Sequence, residues 1–264
     1  MKISIVQMEV YYKDKSRNIA QVSELLAKSD VVGDMVLLPE LFSTGYIFNV
    51  AEEIHELSED YADSGTIESL RLLADKYNTL IVAGIAEEGS GHFYNSVAVI
   101  DKNGLKHKYR KISQTNIDKK YFSRGNSLLT FQHRGLAFGV AICFDLWFPE
   151  IIRGYADVGV DVLLHPANFG GDQSLKIARA RAIENSMYVV TCNRIGEDVT
   201  KDLSGTYCGN SQVCTPAGEI LLQFGSDSAI KIVDLNHLDA VSKRVIGVDL
   251  TEEIKTINDQ LNHS

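Results

Sequence analysis

The stretch Gly33-Asp-Met-Val-Leu-Leu-Pro-Glu-Leu-Phe42 occurs a second time, one residue longer, as Gly159-Val-Asp-Val-Leu-Leu-His-Pro-Ala-Asn-Phe169. In both copies a short apolar run ends in polar or charged side chains, which is typical of a buried strand followed by a loop. The chain therefore repeats one strand–loop unit, and this repeat predicts a fold with two similar halves.

Other segments repeat in the same order along the chain: Tyr77–Ala83 resembles Glu184–Val190, and 95–104 resembles 210–218. The last pair consists of an apolar run that begins with Asn-Ser and ends in a glycine-containing hairpin turn. From the common order we infer two βαβ-rich halves, near residues 1–110 and 136–235. We place both in a single domain, 1–264, because no linker rich in Pro, Gly or Ser separates them.

Periodicity predicts the elements of each half. The runs with the length of buried strands are Ile3–Met8, Met35–Leu38, Leu80–Ile85, Ala137–Ile142, Val160–Leu164 and Met187–Cys192. The segments with helical spacing of apolar residues are Asn18–Ala27, Ile67–Tyr77, Ile151–Val158 and Leu175–Ile183. This alternation predicts an α/β fold, and two such halves predict a four-layer α-β-β-α sandwich. The basic segment Lys106–Asn126 is predicted to be a long ordered connection.

Composition limits the classes of partner. The 264 residues are 45% hydrophobic, enough for a sizeable core, and the net charge of -9 argues against nucleic acid or an anionic membrane as partner. The first apolar run is short and is followed directly by Glu9, which argues against a secretory signal. No run reaches membrane-spanning length, so we predict a soluble cytoplasmic protein. The four cysteines contain no CxxC pair, which argues against a zinc site. Four cysteines in a chain of this length do not indicate a disulfide scaffold.

Chemically active side chains follow three of the predicted strands. Glu40 follows the second strand, Cys143 follows the first strand of the second half, and His165 and Asn168 follow the next. Ligands of open α/β sheets gather beyond the carboxyl ends of strands. Cys143 also precedes Pro149, which suits the first turn of a helix. The free N–H groups of such a turn can stabilise a thiolate or an oxyanion, although a buried structural cysteine is the alternative.

Lys111 is a third candidate, within the basic run Lys108-Tyr-Arg-Lys-Ile112. A carboxylate such as Glu40 can accept the thiol proton and return it to a leaving amine. An ammonium can stabilise the charge of a tetrahedral intermediate. The alternatives are a solvated basic face for Lys111 and a loop carboxylate or helix cap for Glu40.

Three segments resemble the motifs of the nitrilase superfamily of carbon–nitrogen hydrolases. Leu38–Tyr46 resembles its glutamate motif, Tyr109–Lys111 its lysine motif and Ala141–Glu150 its cysteine motif. Further matches lie at His165–Asn168 and Ala180–Asn185. The order and the intervals fit, and the resemblance covers nearly the whole chain.

The resemblance implies an αββα sandwich in a homodimer or larger homo-oligomer, with no cofactor or metal. It implies that Cys143 is the nucleophile, forming a thioester, that Glu40 is the general base and that Lys111 stabilises the oxyanion together with the N–H of Phe144. Many amide-cleaving members carry a second glutamate after the lysine motif. Here Asp118 is the nearest carboxylate, and it is a candidate substitute for that glutamate or a solvated loop residue.

The residues after the nucleophile bear on the substrate. Cys143-Phe-Asp145 resembles amidase branches more than the Cys-Trp-Glu of nitrile-hydrolysing branches. The stretch Asp145–Glu150 also resembles N-carbamoylputrescine amidases. We therefore predict a small linear amide as substrate with release of ammonia, an N-carbamoyl amine as second choice, and a nitrile as a further alternative. Tyr46, Trp147 and Asn168 are candidates for the pocket wall.

Two other functions are consistent with the residues. His165 also follows a strand, so Cys143 and His165 could act as the nucleophile and base of a different hydrolase class. Alternatively, the absence of the second glutamate is consistent with a non-catalytic scaffold that kept the fold.

Overall fold

The computed structural model describes residues 1–235 and 243–262, and its elements form two sheets covered by helices. The strands are β1 (Lys2–Gln7), β2 (Met35–Leu37), β3 (Glu59–Asp60), β4 (Leu80–Gly89), β5 (His92–Asp101), β6 (Gly104–Arg110), β7 (Thr130–His133), β8 (Leu136–Val140), β9 (Val162–Pro166), β10 (Tyr188–Cys192), β11 (Ile195–Val199), β12 (Ser204–Cys208), β13 (Gln212–Cys214), β14 (Ile220–Gln223), β15 (Ala229–Asp234), β16 (Arg244–Val245) and β17 (Val248–Asp249). The helices are α1 (Lys15–Lys28), α2 (Ala51–His55), α3 (Gly65–Tyr77), α4 (Asp118–Tyr121), α5 (Pro149–Asp157), α6 (Gln173–Asn185) and α7 (Leu250–Asn262). A short 3-10 helix, Cys143–Trp147, precedes α5.

The two sheets share one strand arrangement. The first has the order β15-β1-β2-β4-β5-β6, with β3 beside β4, and the second has the order β14-β13-β10-β9-β8-β7. In the first sheet β1, β2 and β4 are parallel. In the second sheet β8, β9 and β10 are parallel in the same succession. Each parallel trio continues into an antiparallel hairpin, β5–β6 or β13–β14. The predicted repeat thus corresponds to a repeated sheet topology.

Three apolar layers hold the sandwich together. The largest cluster lies between the sheets and joins residues such as Ile5 and Leu37 of the first sheet to Val140 and Leu164 of the second. A second cluster packs α1 and α3 on the outer face of the first sheet. A third packs α5 and α6 on the outer face of the second. Strands buried on both faces read as continuous apolar runs. The predicted α/β class with α-β-β-α layers is confirmed.

The predicted boundary between the halves needs correction. β15 was expected in the second half, yet it pairs antiparallel with β1 and covers the outer edge of the first sheet. The second sheet begins at Thr130 with β7, before the expected residue 136. A strand that covers the edge of the other sheet removes unpaired backbone groups. Local periodicity carries no signal for this choice of partner.

The predicted connection Lys106–Asn126 is wrong in its first five residues, which belong to β6. This edge strand exposes Lys106, His107 and Lys108 and buries Tyr109. Charged side chains are common on edge strands, and here they hide the apolar signal of a strand.

Within 1–235 and 243–262, no helix combines the length and the hydrophobicity needed to cross a membrane.

A pair of leucines on the outer helices tests the layer assignment. Leu26 of α1 is fully buried in the outer cluster, whereas Leu72 of α3 is 54% exposed. We expect Leu26→Ala to lower the free energy of unfolding by about 2–5 kcal/mol because it leaves a cavity. Leu72→Ala should change it by less than about 0.5 kcal/mol. Urea denaturation measures both, and equal losses would contradict the assignment.

Candidate active site

The candidate residues lie at one edge of the sandwich. Glu40 follows β2, Lys111 follows β6, Cys143 follows β8 and Asn168 follows β9. Because β2, β8 and β9 are parallel strands of two facing sheets, their carboxyl ends bring these loops together. The sequence prediction of a site at the strand ends therefore agrees with the topology.

The loop that carries Glu40 lies directly against β4. Its backbone continues the ladder, since Leu38 N–H donates to Val82 O at 2.9 Å and Phe42 N–H donates to Gly84 O at 3.0 Å. A Cβ on Gly84 would lie 2.6 Å from Glu40 Cα. Only glycine permits this close approach, so Gly84 is a condition for the position of Glu40.

Lys111 lies between two carboxylates. Its Nζ is 2.8 Å from Glu40 Oε1 and 3.0 Å from Asp118 Oδ2. All three side chains are almost completely excluded from water. We call Glu40, Lys111 and Asp118 the charge cluster. The sequence allows Asp118 to be either a substitute for the second glutamate or a solvated loop residue, and the structure brings it into direct contact with Lys111.

Neutral side chains fix the two carboxylates of the charge cluster. Asn95 Nδ2 donates to Glu40 Oε1 at 2.6 Å and to Asp118 Oδ1 at 3.3 Å. The Tyr46 hydroxyl donates to Asp118 Oδ2 at 3.0 Å. The Thr115 N–H and hydroxyl donate to the same oxygen at 2.9 and 2.8 Å. Sequence reasoning missed Asn95 and Thr115 as site residues, although Asn95 begins one of the repeated segments.

The charge cluster shifts the pKa of each of its members. Burial opposes the charge of Lys111, but the carboxylates of Asp118 and Glu40 outweigh it and raise the pKa of Lys111 well above its usual value. Burial raises the pKa of Glu40, against the opposing effect of Lys111. Burial also disfavours the charge of Asp118, but Lys111 and the Thr115 donors lower its pKa overall. Asp118 is therefore the firmly ionised partner, and Glu40 is the carboxylate more ready to accept a proton.

Cys143 stands on a strained turn between β8 and the 3-10 helix. Its φ is 44°, a left-handed conformation that costs energy for a residue other than glycine. The residue is partly buried, and its Sγ lies 3.8 Å from Asn168 O. Burial raises the pKa of the thiol well above its usual value, Glu40 raises it further and Lys111 lowers it. At neutral pH the group is therefore a thiol that needs a base.

Asp145 connects the cysteine turn to the lysine segment. Its carboxylate accepts from Ile142 N–H at 2.9 Å, from Ser113 N–H at 2.7 Å and from the Tyr109 hydroxyl at 2.8 Å. Tyr109 and Ser113 lie two residues before and after Lys111. One buried carboxylate thus holds both segments of the site in place.

His165 has partners other than the thiol. Its Nε2 lies 3.0 Å from the backbone oxygen of Cys143, and its Nδ1 lies 3.0 Å from Thr191 Oγ1. Burial lowers the pKa of His165 to about 4. Both ring nitrogens are thus engaged, and the ring supports the turn through the backbone of Cys143.

The remaining candidates occupy different positions. Asn168 is buried, and within 1–235 and 243–262 neither its Oδ1 nor its Nδ2 has a hydrogen-bond partner. Tyr46 lies inside the site against Asp118. Trp147 is 40% exposed, and its indole N–H donates to Ser174 Oγ of α6 at 3.2 Å. Phe144 packs its ring against Phe148 with 5.1 Å between centroids.

Comparison with known proteins gives the family. The model of the carbon–nitrogen hydrolase family matches residues 2–242. The chain belongs to this family. It is 36% identical over 225 residues to a nitrilase from Pyrococcus abyssi, covering 84% of each chain. It is 30% identical over 254 residues to N-carbamoylputrescine amidase from Arabidopsis thaliana, covering 88% of this chain and 85% of the relative. The protein is therefore a carbon–nitrogen hydrolase of the nitrilase superfamily.

Solved structures of the superfamily share the fold. A CN-hydrolase superfamily protein from Xanthomonas campestris superposes with a TM-score of 0.78, at 23% identity, over 99% of this chain and 96% of that chain. A mutant of the amidase from Nesterenkonia sp. AN1, with acrylamide added at its active site cysteine, superposes with a TM-score of 0.78, at 20% identity, over 99% of both chains. At these identities the likeness is evidence for the fold alone.

Asp118→Asn tests the charge cluster through pH. Because the pKa of Asp118 is lowered in the folded state, its charge stabilises the fold at pH values above its unfolded pKa. This contribution is lost as pH falls through the folded-state pKa. At neutral pH the variant should lose about 3–5 kcal/mol of unfolding free energy, because Lys111 loses a buried partner.

We expect this deficit, measured by urea denaturation, to shrink as pH falls below about 4. The exposed Asp30 provides the control, and Asp30→Asn should change stability little at any pH. A deficit for Asp118→Asn that stays the same from neutral to acid pH would contradict the assignment.

Proposed function

We propose that the protein hydrolyses the carbon–nitrogen bond of a small linear amide through a thioester on Cys143 and releases ammonia. The contact of Lys111 Nζ with Glu40 Oε1 at 2.8 Å, beside the strained turn of Cys143, is the observation that carries this proposal. It unites a thiol, a carboxylate and an ammonium in a site with little access to water.

Glu40 acts as the general base for the thiol. Within 1–235 and 243–262, its Oε2 is buried without a hydrogen-bond partner, so that oxygen is available to a proton. The pKa of the Cys143 thiol is raised, so the resting thiol keeps its proton. The pKa of Glu40 is also raised, so its carboxylate accepts that proton as sulfur attacks the carbonyl carbon. The same proton then goes to the amide nitrogen, and ammonia leaves with it.

Lys111 and the N–H of Phe144 stabilise the oxyanion. When Cys143 Sγ bonds to the carbonyl carbon, the carbonyl oxygen becomes negative, and preorganised donors in a dry site stabilise it strongly. Collapse of this intermediate breaks the C–N bond and leaves a thioester. Water, activated by Glu40, then attacks the thioester, the carboxylic acid departs, and the proton returns to the sulfur.

The contacts of His165 favour Glu40 over His165 as the base. A base must reach the proton that it removes, and the ring of His165 engages the backbone oxygen of Cys143 and Thr191 instead. The intact charge cluster also argues against a non-catalytic scaffold. Asp118 takes the place of the second glutamate that many amide-cleaving members carry. Its ionised carboxylate keeps Lys111 charged.

An N-carbamoyl amine is the second candidate substrate. The unpartnered amide of Asn168 offers one acceptor and one donor group, which suits the N–H and C=O of a carbamoyl group. The similarity to N-carbamoylputrescine amidase supports this alternative, and the similarity to a nitrilase supports a nitrile as a further one. Tyr46 and Trp147 are proposed as parts of the pocket wall. A homodimer or larger assembly and a cytoplasmic location stay predictions.

Ammonia release from a panel of substrates tests the proposal. The panel contains small amides, N-carbamoyl amines, N-carbamoyl amino acids and nitriles, with Cys143→Ala as the blank. We expect release that the blank lacks, fastest with a small linear amide. The ranking of the four classes identifies the substrate class. A folded wild-type protein that releases no ammonia from any of them would contradict the proposal.

Variants of the two possible bases complete the experiment. Glu40→Gln should lower kcat about 100-fold or more because it removes the general base. His165→Asn should lower kcat less than about 10-fold, since it loses one supporting hydrogen bond rather than the base. The reverse order of the two effects would favour the Cys143–His165 pair.

A further inference from the structure

A fully buried ion pair lies outside the charge cluster. Arg194 Nη1 is 3.0 and 3.1 Å from the two carboxylate oxygens of Asp198, and neither side chain is exposed. Asp198 belongs to β11, and Arg194 lies just before it. A buried ion pair is weak evidence for stability, because the cost of desolvating two charges can exceed their attraction. Its other contacts indicate what the pair does.

Asp198 binds the backbone of the loop that follows Glu40. Its Oδ2 accepts from Tyr46 N–H at 2.8 Å and from Ile47 N–H at 3.2 Å. A Cβ on Gly45, whose φ is 89°, would lie 3.1 Å from Asp198 Oδ1. Glycine at this position therefore allows the loop to approach the carboxylate so closely.

Arg194 fixes the carboxylate of Asp198 relative to two other segments. Its Nη2 donates to Val10 O, after β1, at 2.8 Å. Its guanidinium lies 4.1 Å from the ring centroid of Tyr207 on β12, and the Tyr207 hydroxyl donates to Asp198 Oδ2 at 2.9 Å. The ion pair thus joins the Glu40 loop to the segment after β1 and to the β11–β12 hairpin.

The anchored loop presents the Tyr46 side chain to the charge cluster. The Tyr46 hydroxyl contacts Asp118 Oδ2 at 3.0 Å and Thr115 Oγ1 at 2.5 Å. Its ring centroid lies 5.6 Å from Lys111 Nζ. Because the two N–H groups at 46 and 47 are tied to one carboxylate, the direction of the Tyr46 side chain follows from the position of Asp198.

We propose that Asp198, held by Arg194, is a positioning residue that anchors the Tyr46 backbone and so sets the contact of the Tyr46 hydroxyl with Asp118 beside Lys111. This inference rests on the proposed function, in which Lys111 stabilises the oxyanion. The hydrogen bonds of Asp198 go to the loop backbone, to Arg194 and to Tyr207, and it acts on the reaction through Tyr46.

A double-mutant cycle tests this route. Asp198→Asn keeps the shape of the side chain but gives the two N–H groups a neutral acceptor and sets an amide NH2 against Arg194. We expect Asp198→Asn and Tyr46→Phe each to lower kcat about 10- to 100-fold, with a smaller change in KM, because each loses a hydrogen bond to a charged group. The double variant should stay within about threefold of the slower single variant, since both changes break the same connection.

Ser4→Ala is the matched control. Ser4 Oγ is buried and accepts from Gly33 N–H at 2.9 Å, beside the start of β2 and away from the site. It should lower thermal stability and leave kcat within about twofold. If Asp198→Asn does not fold, Arg194→Lys keeps the positive charge and should show the same non-additivity with Tyr46→Phe. Effects that multiply in the double variant, or an equal loss of kcat in Ser4→Ala, would overturn the inference.

Alkylation of Cys143 by iodoacetamide separates this inference from the proposed function, because it needs no hydrolysis. Lys111 lowers the pKa of the Cys143 thiol, so a displaced Lys111 leaves less of the reactive thiolate. Mass spectrometry should therefore show alkylation slowed about 10-fold in Asp198→Asn and in Tyr46→Phe, and unchanged in Ser4→Ala. A wild-type protein that releases no ammonia yet shows this pattern would contradict only the proposed function. Equal alkylation rates in all these proteins would overturn the positioning role of Asp198.

Discussion

The buried ammonium of Lys111 is the constraint on which the rest of the site depends. A single charge in this position would be costly without partners, and the fold supplies Glu40 from the loop after β2 and Asp118 from α4. The Glu40 loop, 71 residues away from Lys111 in the chain, must therefore meet the segment that carries Lys111 and Asp118, which are seven residues apart. The close approach of Gly84 fixes the position of Glu40, and the hydrogen-bond donors around Asp118 fix its carboxylate.

Cys143, the proposed nucleophile, lies on a strained turn that neighbouring contacts stabilise. Cys143 adopts a positive φ, and such a conformation persists only where neighbouring contacts determine it. Asp145 binds Ile142 N–H just before the turn, and His165 lies against the backbone oxygen of Cys143. Because Asp145 also binds Ser113 and Tyr109 around Lys111, the turn and the ammonium cannot move independently. The geometry is preorganised before any substrate arrives.

Much of this arrangement could be predicted from the sequence. The repeated strand–loop unit gives the two sheets, and the apolar runs before Glu40 and Cys143 place both residues at strand ends. The partner of β15 could not be predicted, since pairing with β1 depends on which sheet edge is free in the assembled fold. Asn95 reaches Glu40 across 55 residues, and Asp198 reaches Tyr46 across 152. Contacts of such long range leave no local periodic signal.

In the proposed reaction, the charge cluster enables Cys143 to form a covalent thioester with an amide. The most direct test of this step is intact-protein mass spectrometry on wild-type enzyme quenched in acid during turnover of the best amide in the panel, followed by peptide mapping. We predict a mass increase equal to the acyl group, on the peptide that contains Cys143. An adduct on Cys192, Cys208 or Cys214 instead, or turnover that persists in Cys143→Ala, would contradict a thioester on Cys143.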